Sequence, residues 1–314
     1  MISTIDRRRI YIFVAIAYAI AIGLGVVIYF SGGLIKDIPF KLKPLATTLM
    51  MVTMFGPMVA NIATRLITRE GWSNTLLRPN FRRGWLFYLA AWFLPSLAVI
   101  VGGGLYYLLF PSRFDLSMAY SLGIGMLPAE RAGDPLTLLV ILIALGPWPA
   151  VILGFAEEFG WRAYLLQKLM PLGPRKALLV LGAIWGAWHW PAVFMGYEYG
   201  FHYWGAPVVG PLLWLVICFV LGTFLAWLTL RSGSVWPAAL GHSAINATAW
   251  LMAYFVSQEP DWLIGPLPVG IIGALGYAVL AVLILLIPGA LAPTAGPRPS
   301  EPKAVQQAAP GAAS

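Results

Sequence analysis

Apolar positions in this chain gather into long uninterrupted runs rather than alternating with polar ones. Runs without Asp, Glu, Lys or Arg occupy residues 10–30, 44–64, 84–112, 135–156, 177–197, 203–230, 232–258 and 262–288. Each is about 20 residues or longer, enough at ~1.5 Å per residue to cross a hydrocarbon core of ~30 Å. None shows the period of two that a membrane barrel strand requires. The pattern therefore predicts about eight transmembrane helices. The fourth should run on past Glu157-Glu158 to Leu169, because its apolar pattern resumes there. Gly146-Pro147-Trp148-Pro149 should break or kink it, since proline removes a backbone donor and clashes with the preceding turn.

Composition strengthens this reading. Of 314 residues, 60% are apolar and 10% are charged, with a net charge of +8. Soluble domains carry about 25% charged residues, so an ordinary soluble enzyme, a disordered chain and a basic nucleic-acid-binding domain are excluded. The single cysteine, Cys218, permits no intrachain disulfide. Arg7-Arg8-Arg9 and Ala15-Ile16-Ala17 resemble a secretory signal, but the apolar run continues to Phe30, which favours an uncleaved first span. With the N-terminus inside, fourteen Lys and Arg fall on the cytoplasmic side and five outside, Arg162 lying within a span. The expected topology thus has both termini in the cytoplasm, in a cell membrane. Residues 1–290 read as one transmembrane domain and 291–314, rich in Pro, Ala, Gly and Gln, as a disordered tail.

Ionisable groups inside spans cost about 3 kcal/mol each even on lenient scales and call for a reason. Glu158 and Arg162 are four apart on one helix face and can pair, while Glu157 points about 100° away. His242 and Asn246 share a face, as do Trp185 and His189. Counted from Lys168, Lys176 and Arg231, the positions Glu157, His189 and His242 reach one level, roughly 16–20 Å in. One polar cavity within the bundle accounts for all three. A carboxylate and an imidazole can activate water and later protonate a leaving amine. A second imidazole and a carboxamide can stabilise an oxyanion. Peptide hydrolysis by an activated water fits these groups, with Glu158 and Arg162 as structural support.

Three motifs carry a family resemblance. Glu157-Glu158-Phe159-Gly160-Trp161-Arg162 fits EExxxR, Trp185-Gly186-Ala187-Trp188-His189 fits FxxxH with Trp in the aromatic place, and His242-Ser243-Ala244-Ile245-Asn246 fits HxxxN. In this order within residues 135–251 they resemble the CAAX protease and bacteriocin-processing intramembrane proteases, relatives of the type II CAAX prenyl endopeptidases. The resemblance implies an all-α membrane endopeptidase in which Glu157 and His189 activate water and His242 and Asn246 hold the oxyanion. Glu158, Arg162 and Trp185 would support them. The substrate would be a peptide or protein, lipidated or membrane-embedded ones included. The family is often called a metalloprotease family, and Glu157, His189 and His242 could together ligate zinc. The same residues suffice without metal, and that mechanism is preferred. Two other classes stay open: a non-proteolytic immunity or scaffold protein on the same fold, and a transporter, for which internal repeats are lacking.

Overall fold

A computed structural model describes residues 2–32, 43–127 and 134–293. Among them the architecture is all-helical, with one isolated bridge between Phe114 and Val256. The predicted tail lies outside the described residues from 294 onward. Long helices form the frame: α1 (Thr4–Phe30), the pair α2 (Pro44–Thr53) and α3 (Gly56–Thr68), and α4 (Phe81–Leu109). After the short α5 (Ala119–Gly123) come α6 (Pro135–Ala144) and α7 (Pro147–Gly160), which a π-turn at Trp161–Leu165 joins to α8 (Leu166–Leu169). Then follow α9 (Pro174–Trp188), α10 (Trp190–Phe194), α11 (Val209–Ser232), α12 (Trp236–Thr248) and α13 (Leu275–Leu286).

Four segments are long and apolar enough to cross a membrane alone: α1, α2–α3, α4 and α11. The pair Pro135–Ala144 and Pro147–Leu172 is long and apolar enough together to make a fifth, as a broken span or a re-entrant loop, with a 42° bend where Gly146 and Pro147 were expected to break it. The chain is an integral membrane protein. Among the described residues eight full-length helical spans are not found, and the cause is local. The run at 177–197 stops being α9 at Trp188, because Pro191 lacks the amide donor that continued helix needs. The run at 232–258 is helical only over α12, and that at 262–288 only from Leu275, after a Gly- and Pro-rich stretch. These segments are apolar throughout, but backbone chemistry shortened their helices.

The inner helices pack closely. α12 lies along α7 and α4, and α9 along α11. Gly154 makes the first contact possible: a Cβ there would sit 2.5 Å from the Ala239 carbonyl oxygen. Gly160 does the same for α3, where a Cβ would meet Pro57 at 2.4 Å. At the end of the bundle marked by Lys168, a polar clamp joins three segments. Lys168 pairs with Asp6 of α1 at 3.0 Å and with Glu70. Arg9 reaches Glu70 at 3.2 Å, and the Tyr164 hydroxyl donates to Glu70 at 2.9 Å. Arg65 donates to Asn61 at 2.8 Å, and Asn61 in turn donates to the Phe159 carbonyl at 2.8 Å. The helix that carries the paired glutamates is thereby fixed at its foot.

Candidate active site

Each site residue sits near an interruption that its local sequence creates. α7 begins with Pro147 in its first turn, where a missing N–H costs nothing. Directly after Glu157 and Glu158 the helix widens into a π-turn, with the Leu166 amide bonding the Trp161 carbonyl. Such single turns recur at functional sites. His189 is the first residue beyond α9. His242 lies mid-way along α12, and the neighbouring Ser243 hydroxyl donates to the Pro147 carbonyl, tying α12 to the break before α7.

Glu157, His189, His242 and Asn246 all line one cavity of about 380 Å³. The residues expected at one depth are thus brought together. Trp185 lines it too, whereas Glu158 and Arg162 lie behind the wall with fully buried side chains. Glu158 Oε1 is the hub of that support. It accepts from Arg162 Nη1 at 2.8 Å and pairs with His242 Nδ1 at 2.8 Å. A carboxylate can only accept, so His242 carries its proton on Nδ1 and turns Nε2 toward Glu157 Oε1, 3.9 Å away. His189 is oriented by the same logic. Its Nδ1 is 2.8 Å from the Trp185 carbonyl oxygen, which can only accept. Its Nε2 therefore keeps a lone pair available as a base. Among the described residues no three His, Cys, Asp or Glu side chains are grouped to hold a metal ion. The zinc arrangement of Glu157, His189 and His242 thus finds no support in this donor geometry.

Four features went unread in the sequence. Glu157 Oε2 accepts from two indoles, Trp185 Nε1 at 3.0 Å and Trp161 Nε1 at 3.3 Å. Trp161 lies four residues from Glu157, and that spacing carried the signal. Trp185 also covers Arg162 at 4.1 Å from the ring centroid. Cys218 Sγ lies 3.9 Å from His189 Nδ1. Finally, Glu198, in no motif, lines the same cavity.

Residues 136–248 match the sequence profile described as type II CAAX prenyl endopeptidase Rce1-like. That interval holds all three motifs. Over that interval the chain is similar to the CAAX-type membrane endopeptidases. It is similar to the CAAX prenyl protease 2 of Methanococcus maripaludis, with 24% identity over 216 residues, covering 65% of this chain and 73% of the relative. A protease of this class acts on a peptide or protein substrate.

Proposed function

We propose that this endopeptidase cleaves its substrate within the bundle through a water activated by Glu157 and His189, with His242 and Asn246 as the oxyanion site. The observation that carries the reading is the double role of Glu158, which anchors Arg162 and fixes the His242 tautomer so that Nε2 meets the cavity beside Glu157. In the proposed reaction Glu157 takes a proton from water, and the hydroxide adds to the scissile carbonyl carbon. The carbonyl oxygen becomes an oxyanion. It accepts hydrogen bonds from Asn246 Nδ2 and from His242 Nε2, which donates once the imidazole has taken a second proton from solvent, Glu158 balancing the imidazolium. Collapse breaks the C–N bond. The proton held by Glu157, passed directly or by way of His189 Nε2, goes to the leaving amine. The products are one carboxylate and one amine.

The apolar wall, which includes Met50, Met51, Met54 and Met195, suits a flexible lipidated or membrane-embedded substrate, because thioether chains adapt to irregular shapes. The lysine and arginine distribution supports both termini in the cytoplasm and a plasma-membrane location. The test compares peptide termini in native membranes expressing wild type or Glu157→Ala at matched levels. Termini present only with wild type are expected. Identical termini, with the variant folded and inserted, would overturn the proposal in favour of a scaffold role.

A further inference from the structure

The cavity holds a second carboxyl group that the mechanism does not use. Glu198 lies in the loop between α10 and α11, outside the long spans, and lines the same cavity as Glu157 and His189. The loop is held in shape. Gly196 and Gly200 flank it with φ of +86° and +66°. The Tyr197 amide donates to the Ala192 carbonyl, and the Tyr199 hydroxyl to the Val269 carbonyl at 2.8 Å. Glu198 is therefore presented to the cavity by a braced segment rather than by a loose tip. Among the described residues no side chain pairs with its carboxyl. The described lining contains two carboxyls, two imidazoles and a carboxamide, and no Lys or Arg. Trp214, Trp250 and Tyr197 also line it, and aromatic faces attract cations.

A carboxyl placed in an apolar wall without a cation is costly to ionise until one arrives. Burial pushes the Glu198 carboxyl up to about 8, in line with a group that lacks its counter-charge. The described lining supplies no such counter-charge, so a cation that enters the cavity finds a carboxyl free to pair with it. A neutral or acidic substrate group leaves the carboxyl unpaired, whereas a Lys or Arg side chain supplies the partner. We propose that Glu198 is a specificity-determining residue that selects substrates carrying a lysine or arginine side chain near the scissile bond. The proposal rests on the endopeptidase reading for its cleavage readout, but its binding readout stands alone.

The experiment uses the full chain in detergent or liposomes with matched peptides. They share one neutral, apolar scaffold and carry Lys, norleucine or Glu at each position in turn. Wild type should prefer the Lys peptide over norleucine by at least about tenfold at one position. Glu198→Gln should erase that ratio, Glu198→Asp should keep part of it, and Glu198→Lys should shift it toward the Glu peptide. Binding is measured in parallel with Glu157→Gln and with Glu157→Gln/Glu198→Gln. The Lys preference should be present in the first and lost in the second. Binding preference that depends on Glu198 without any wild-type cleavage would sink the endopeptidase reading and leave this one standing. A ratio unchanged by Glu198→Gln, or no charge preference in either readout, would overturn it.

Discussion

Removing Glu158 and Arg162 singly and together separates what holds the site from what reacts. Both side chains are fully buried and 2.8 Å apart. Glu158→Leu leaves the Arg162 guanidinium without its counter-charge, and breaking a buried pair from one side costs about 3–5 kcal/mol. Arg162→Met leaves Glu158 with His242 alone and should cost a similar amount. The pair is not fully satisfied even in the native protein: Glu158 Oε2 and Arg162 Nε and Nη2 lack hydrogen-bond partners. Replacing both residues by apolar ones removes that desolvation load, so the double variant should recover most of the stability lost by either single one. Activity should not recover. His242 still lacks the acceptor that orients Nδ1, and loss of such an orienting partner lowers function about 10–100-fold. Thermal unfolding in detergent and cleavage of one peptide, run on all four proteins, check this. A double variant as unstable as the singles, or one with wild-type turnover, would refute the argument.

Three other perturbations have defined outcomes. Asn246→Ala should lower kcat about 10²–10³-fold with little change in KM, as expected for a donor that meets the oxyanion alone; peptide kinetics decide it. Gly160→Val places atoms on Pro57 where a Cβ already comes within 2.4 Å, and should destabilise by about 1–3 kcal/mol in thermal unfolding. The clamp predicts a pH effect. Burial raises the Glu70 carboxyl, but Lys168, Tyr164 and Arg9 outweigh it and hold the group below the ordinary glutamate value. A depressed carboxyl gives its full stabilisation above the unfolded value of about 4.3 and loses it as pH falls through the lower folded one. Unfolding temperature should therefore drop below about pH 4, and drop less in Glu70→Gln.

Much of this was legible in the residues. Helical spacing placed Glu158 and Arg162 on one face, and distance from the basic flanks put Glu157, His189 and His242 at one level. Their meeting in one cavity follows from those two facts. What escaped was of a different kind. The count of eight was not confirmed, because an uncharged run reports apolar composition, while Pro191 and the Gly- and Pro-rich segment before Leu275 decide how much of it is helix. The indole contacts to Glu157 escaped because tryptophan in an apolar helix looks like packing until its N–H has a direction. Glu198 escaped because it belongs to no motif, and only the folded loop turns it into the cavity.

The shortness of α12 has a consequence for how bilayer thickness acts on the protein. At 13 residues it is about 20 Å long, well under the ~30 Å of hydrocarbon. A lipid-facing helix of that length would impose hydrophobic mismatch. α12 escapes this because nearly all its side chains are buried in protein, Asn246 being exposed where the cavity opens. The long apolar segments α1, α2–α3 and α4 are by contrast largely exposed, with 22%, 28% and 39% of their apolar windows buried. Mismatch therefore falls first on the tilt of these longer helices, and α12 feels it only through the helices packed against it.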